Sequence, residues 1–359
     1  MYQYPTVPQS QSALSADRNA RRSPQVSVVV TCYNLERYIG EALHSVLSQS
    51  DAPPFELIVV DDCSTDRSGE IIRGFAEAKY VRTPRNGGVL LAMLAGVEQA
   101  KSDIICLLDG DDLWEQGKLA ASVAAFAAGP SVALVTHDLC FIDAAGERIG
   151  RNSRPNQELG SLDAERAGAK VRRGILELDD YVWLGSALSF RRSLARWDAF
   201  AAFANALPDP KNCYQDWPLA YWIAALSDVR AAYVPETLFR YRLHGKNHSG
   251  DAGTVERAVR NFTRTRNTYE AIARIAELRS LPQGLKRIAE QSAALARAQV
   301  DVYRGRRLRA IGGFAGAMPL ARRNRTLAKE TLRFAIGALL GPRALTQIAA
   351  LPQMRGRGT

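Results

Sequence analysis

Three carboxylates, Asp109, Asp111 and Asp112, stand within four positions at the end of the apolar run 104–108. A short apolar run reads as a buried parallel strand, and open α/β sheets bind ligands at the carboxyl ends of such strands. Acids crowded there repel one another and call for a counter-charge, and their hard oxygen donors suit Mg²⁺ or Mn²⁺ better than zinc. The same residues also suit a polar turn, with Asp112 capping the next helix. A second acidic pair, Asp61-Asp62, follows the run 55–60. Its oxygens can accept from a nucleobase N–H or from ribose hydroxyls; alternatively Asp62 or Ser64 caps the helix that follows.

These acids need elements to carry them. Residues 26–31 (VSVVVT) form a β-branched run, and 36–48 place Ile39, Leu43, Val46 and Leu47 at helical spacing, which reads as strand, loop, helix. Residues 55–60 and a helix over 68–78 repeat the unit, implying a parallel sheet with right-handed crossovers. A strand over 80–83, a turn at Asn86-Gly87-Gly88 and a helix over 89–99 lead into the strand ending at Asp109. Further on, the pattern predicts a helix over 114–128, a strand over 132–138, a hairpin over 141–149 around Ala145-Gly146, and a long polar loop over 150–175. A strand over 187–190, a helix over 215–227 and two strands, 229–234 and 238–242, complete this part. The expected class is α/β: a Rossmann-like, mostly parallel sheet flanked by helices, with a helical C-terminal extension. The first strand ends Thr31-Cys32-Tyr33-Asn34, without the Gly-x-Gly-x-x-Gly of a dinucleotide site, which argues against a nicotinamide or flavin enzyme.

A chain of 359 residues can bury a large core. Its five cysteines lie far apart, with no Cys-x-x-Cys pair and no zinc spacing, which is reduced, cytosolic usage. Residues 1–24 are rich in Ser, Gln, Pro and Arg, lack a signal peptide's apolar core and read as a flexible tail. No stretch reaches the roughly 18 to 20 apolar residues of a membrane span. The net charge of +10 is unevenly placed: residues 251–359 hold 21 Lys+Arg against 7 Asp+Glu, so they carry +14 and the first 250 residues −4. The expected organisation is a tail (1–24), an α/β domain (25–250) and a basic helical region (251–359).

Taken together, VSVVVTCYN (26–34), ELIVVDDCSTD (56–66), NGG (86–88), LLDGDDLW (107–114), YQDWPLA (214–220) and YRLHGKNHS (241–249) resemble the family-2 glycosyltransferases. The resemblance covers about residues 25–250 and implies a GT-A fold and inverting, metal-dependent hexosyl transfer from a nucleotide sugar. It implies that Thr31, Tyr33, Asn34 and Asn86 line the nucleotide pocket, with Asp62 at the uracil edge of a UDP-sugar and Asp61 close by. Asp109 and Asp111 look like the family's Asp-x-Asp pair, Asp111 as the direct ligand of Mn²⁺ or Mg²⁺ and Asp109 nearer the ribose or a metal-bound water. Asp112 would serve the donor sugar or hold the loop. His244 falls where the family adds a late metal ligand or phosphate contact, Arg242 would pair with phosphate, and His248 is a further candidate. Asp216 matches the family's catalytic base, although the familiar Glu-Asp is here Gln215-Asp216; the competing reading is a helix N-cap. Trp183, Trp217 and Trp222 offer sugar-stacking faces or core packing.

The acceptor implied is a hydroxyl of a glycan or lipid-linked precursor in cell-surface polysaccharide assembly. No Gln-x-x-Arg-Trp motif or set of membrane spans marks a processive synthase. The basic region suits peripheral contact with an anionic membrane on its cytoplasmic face, or packing against the catalytic part or a partner chain. No nucleic-acid-binding motif accompanies the charge. Two other readings compete: a nucleotidyltransferase, which would favour a glycine-rich phosphate loop that TCYNLER lacks, and a non-catalytic scaffold, which need not retain Asp109, Asp111 and Asp216 together.

Overall fold

The computed structural model of the chain describes residues 24–149, 159–179, 185–244 and 254–315. Strands β1 (Val26–Cys32), β2 (Phe55–Asp61), β3 (Ala78–Arg82) and β4 (Ile104–Asp109) pair in parallel in the order β3-β2-β1-β4. Their continuous apolar text is explained by burial on both faces. Val26, Val28, Val30, Leu57, Val59, Cys106 and Leu108 join one apolar cluster, with Ile39, Ala42, Leu43 and Val46 of α1 (Ile39–Leu47). The alternate residues Val29, Ile58, Val60, Ile105 and Leu107 join the other, with α3 (Val89–Glu98). Each such aliphatic side chain contributes roughly 1.5–3 kcal/mol when fully buried.

The chain steps from β1 outward through β2 and β3, then crosses back to lay β4 on the other side of β1. The topological switch therefore lies between β1 and β4, where Thr31 stands opposite Asp109. Beyond β4 the sheet turns antiparallel at β7 (Ser189–Arg191), then continues through β6 (Val132–Ile142), β8 (Arg230–Arg242) and β5 (Leu113–Trp114) to make eight strands. The expected mostly parallel α/β sheet is what the chain forms.

Several local expectations are corrected. The helix expected over 68–78 is α2 (Ser68–Arg73), stopped at Gly74, and β3 already begins at Ala78. Leu113 and Trp114 are not helical but pair with Arg240 and Phe239, so the next helix is α4 (Lys118–Ala127), entered through Gly117 at φ 82°. The hairpin at 141–149 forms, with Ile142 bridged to Arg148. Part of the supposed loop is α5 (Ala164–Glu177): Asp163 caps it by accepting from the Arg166 N–H, and Ala167, Gly168, Val171, Gly174 and Ile175 form its buried stripe. Residues 150–158 lie outside the described part. Gly168 is required by close approach, since a Cβ there would sit 2.1 Å from the Ala231 carbonyl oxygen of β8. The two strands expected over 229–242 are the single β8, whose register against β6 jumps from Val234 to Thr237, leaving Pro235 and Glu236 in a bulge.

Helices α6 (Trp197–Asn205) and α7 (Asp216–Ala224) cover the sheet face already backed by α3. The C-terminal α8 (Val255–Leu278), α9 (Gln283–Tyr303) and α10 (Arg307–Ala315) follow. Ala271, Ile272, Ile275 and Ala276 of α8 pack into that same apolar cluster. Farther along, Ala258 of α8 meets Leu295, Ala298 and Val302 of α9. Among the described residues no helix is long and apolar enough to cross a membrane.

Candidate active site

The carboxyl ends of β1 and β4 deliver Thr31 and Asp109 side by side, and the Thr31 hydroxyl donates to Asp109 Oδ1 at 3.1 Å. The same oxygen accepts from Gln215 Nε2 at 2.6 Å. The departure from Glu-Asp thus has a direct structural effect, because a glutamate carboxylate at 215 would face Asp109 with repulsion where the amide donates. A Cβ placed on Gly185 would lie 3.7 Å from Asp109 Oδ2 and equally far from Asp216 Oδ2, so these two carboxylates flank Gly185. Asp216 is the first residue of α7, and backbone N–H groups of Trp217, Asp216 itself and Gly185 bond its carboxylate. The N-cap position is Gln215, not Asp216, so the helix N-cap reading of Asp216 is not what forms.

The three acids of the β4 end are not equivalent. Asp112 is 1 % exposed and spent inside the protein, accepting the Arg242 N–H at 2.9 Å and the Ser186 hydroxyl at 2.7 Å. It does not cap α4. Asp111 instead meets His244, with Oδ2 3.0 Å from Nε2, and the imidazole lies against the Tyr38 ring at 4.7 Å between centroids. Arg242, expected at a phosphate, has a fully buried side chain engaged inside the protein. Its Nε donates to the Asp111 carbonyl at 2.9 Å, its Nη1 to the Ala144 carbonyl at 3.3 Å and its Nη2 to Glu41 Oε2 at 2.6 Å. The guanidinium also lies 4.9 Å from the Tyr38 ring centre, so it braces both the Asp111 backbone and the ring that backs His244.

On the neighbouring strand ends Asp61 is fully buried and accepts from the Ser64 N–H, the Tyr80 hydroxyl and Arg82 Nη1. Asp61, expected near the nucleotide, is thus tied into an internal network that shapes the loop. Asp62 cradles the Asn86-Gly87-Gly88 turn, accepting from the Gly87 N–H at 2.9 Å, the Gly88 N–H at 2.7 Å and the Thr83 hydroxyl at 2.9 Å. It does not cap α2. Asn34, left-handed at φ 54°, ties the β1 loop to the β2 loop by accepting from the Thr65 N–H at 2.8 Å and donating its own N–H to Ser64. Tyr33 stands at the rim, 37 % exposed, and Asn86 is half-buried. Trp222 is core, donating to the Ala195 carbonyl at 2.9 Å, while Trp217 is half-buried against the same core. Trp183 and His248 lie outside the described residues.

Charge crowding leaves its mark. Burial, then the charges of Asp111 and Asp216, push the Asp109 pKa up to about 7, and burial with the same kind of repulsion raises Asp112 well above the carboxylate range. Burial raises Asp216 too, against the pull of its backbone hydrogen bonds. Burial also works against ionised Asp61, but its bonds from Ser64 and Tyr80 and the Arg82 charge win and hold its pKa low. A cation among the crowded acids would relieve the repulsion. Among the described residues no three His, Cys, Asp or Glu side chains converge as a closed metal site. The Asp111–His244 pair nevertheless fits Mg²⁺ or Mn²⁺, ions that take few protein ligands and fill their shells with substrate phosphate oxygens and water.

Glu41, Tyr38 and Ser186 escaped the sequence reading. Glu41 lies 201 positions from its partner Arg242, and Ser186 lies 74 from Asp112, so no local motif announces them.

The family model described as Glycosyl transferase family 2 matches residues 27–174. An uncharacterized glycosyltransferase of Nostoc sp. is 28% identical over 241 residues, covering 64% of this chain and 68% of that protein. TuaG of Bacillus subtilis, described as a candidate teichuronic acid biosynthesis glycosyltransferase, is 38% identical over 100 residues. That stretch is 27% of this chain and 39% of TuaG, so the chain spans well under half of that relative. Among solved structures, a mannosyltransferase of Pyrobaculum calidifontis in complex with GDP-Man and Mn²⁺ superposes with a TM-score of 0.54 at 20% identity. The superposition covers 92% of this chain and 94% of that one. S. aureus TarS 1-349 in complex with UDP-GlcNAc gives 0.52 at 17% identity, covering 83% and 92%. At these identities the likeness is one of fold.

Proposed function

We propose that the chain, whose residues 27–174 match the model of glycosyl transferase family 2, is a glycosyltransferase of that family and transfers a sugar from a UDP-sugar to a hydroxyl of a glycan or lipid-linked acceptor in cell-surface polysaccharide assembly. The observation that carries this reading is the gathering of Asp109, Asp111, Asp216 and His244 at the β1/β4 switch point, with Asp111 and His244 paired and Asp216 across Gly185 from Asp109. The nucleotide sugars in the TarS and Pyrobaculum complexes, and the polysaccharide role given to TuaG, support the substrate class.

In this reading Thr31, Tyr33, Asn34 and Asn86 border the nucleotide, and Asp62 sets the turn that carries Asn86. Asp111 and His244 would hold Mn²⁺ or Mg²⁺, which supplies Lewis-acid charge for the departing diphosphate. Asp216 takes the proton of the acceptor hydroxyl as its oxygen bonds to the anomeric carbon and the bond to the diphosphate breaks on the opposite face, inverting the configuration. A carboxylate raised by burial is a better base than an exposed one, because its pKa moves toward working pH. Asp109, held by Thr31 and Gln215, would stand nearer the ribose or a metal-bound water.

Replacing Asp216 by Asn separates the steps. Asp216→Asn keeps the size of the side chain and one acceptor oxygen for the backbone N–H groups around it, and is expected to bind UDP with unchanged affinity while transfer falls at least ~10²-fold, the usual scale of a lost general base. Transfer at the unmutated rate, measured by UDP release with acceptor present, would remove Asp216 as base.

A further inference from the structure

We propose that the acceptor of this site is anionic and phosphate-bearing, and that Arg257, Arg260 and Arg264 on one face of α8 grip it. The proposal rests on the reading of Asp216 as the base facing the acceptor. Positions 257, 260, 264 and 268 follow one another at three- and four-residue steps, so they share a face of the helix. Thr268 anchors that face to the site: its hydroxyl accepts the Tyr214 N–H at 3.0 Å and lies 3.5 Å from Cys213 Sγ. One turn earlier, Thr265 hydrogen-bonds the Tyr214 phenol, which also feels the charges of Arg264 and Asp216. The arginine row therefore starts beside Tyr214, two positions from Asp216, and runs away from it.

The distribution of charge along α8 supports a ligand over general solvation. Residues 255–266 carry four arginines and one acid, Glu256, whereas 267–278 carry Arg274 against Glu270 and Glu277. Arg266 belongs to another side, where it meets Asn267 and Glu270. Burial and the neighbouring Arg260 guanidinium both pull the Arg264 pKa down, so like charges stand close together in partly dehydrated surroundings. Phosphate relieves that cost and matches the forked guanidinium donors. From Arg257 to Arg264 the row spans about 10 Å of helix, enough for more than one phosphate.

Two sources share this chemistry, a lipid-linked diphosphate and a phosphodiester-linked glycan. Calorimetric titration with UDP and Mn²⁺ saturating would use farnesyl diphosphate for the first and a glycerol phosphate oligomer for the second. The proposal expects the full-length protein to bind at least one probe, more weakly as salt rises, with affinity falling about tenfold or more in Arg257→Gln/Arg260→Gln while UDP affinity and Tm stay unchanged. The probe that binds identifies the source. Binding of neither probe, equal binding by the double variant, or a loss confined to phosphatidylglycerol vesicles would each overturn the proposal. Failure of the unmutated protein to bind UDP would instead strike the donor reading.

Discussion

Arg242 shows how much a single buried cation can organise around the loop that follows β4. Its contacts join Glu41 on α1, the Asp111 carbonyl, the Asp112 carboxylate and the Tyr38 ring that backs His244. Arg242→Met should lower stability by about 2–3 kcal/mol, since the Asp111 and Ala144 carbonyls lose their buried donor, while Asp112 keeps its bonds from the position-242 N–H and Ser186 and Glu41 is half-exposed. It should also weaken Mn²⁺-dependent UDP binding more than metal-free binding, which calorimetry with and without EDTA separates. Lys118 makes a pH prediction. Fully buried, its Nζ donates to Ser189, Ser122 and the Ala187 carbonyl, and burial drops its pKa from 10.5 to about 8. Between pH 8 and 10.5 the unfolded chain holds this proton more than the folded one does, so stability rises with pH across that window and the penalty is complete below it. Relative to Lys118→Met, the unmutated protein should gain on the order of 2 kcal/mol between pH 7 and 10, by urea unfolding at each pH. The acids stood out in the sequence because they end or directly follow an apolar strand, as at Asp109 and Asp111, or open a helix, as at Asp216. The burial of Arg242 was not legible, because charge alone says nothing of whether a side chain faces solvent or interior.

At the scale of elements, the parallel core β1, β2 and β4 was readable because strands buried on both faces spell continuous apolar text. The helix α5 was not. Its buried stripe sets Ala167, Gly168 and Gly174 among only two larger aliphatics, Val171 and Ile175, so the segment looks polar, and only the opposing β8 backbone explains Gly168. Gly168→Ala would force α5 away from Ala231, and the expected loss is ~1–3 kcal/mol, read as a lower denaturation midpoint at unchanged m-value. An unchanged midpoint would mean that α5 and β8 do not pack this closely. The two-residue β5 was missed because Leu113-Trp114 has no strand period of its own; it exists through pairing with Arg240 and Phe239. The bulge at Pro235-Glu236 likewise made one strand read as two.

Across the whole molecule, the sheet brings to one edge side chains from widely separated stretches of sequence: Thr31, Asp109, Asp111, Asp216 and His244. The C-terminal helices share its core through Ile272 and Ile275, so the basic α8 is fixed beside the α7 start rather than carried as a loose tail. In the proposed reading, a cation and a diphosphate would relieve the repulsion among these crowded acids. The most direct measurement of that claim is calorimetric titration of UDP into the unmutated protein and Asp111→Ala, each with Mn²⁺ and with EDTA. The account predicts binding that strengthens at least about tenfold with Mn²⁺ in the unmutated protein and no Mn²⁺ effect in Asp111→Ala. Equal UDP affinity in all four titrations, or no UDP binding at all, would contradict it.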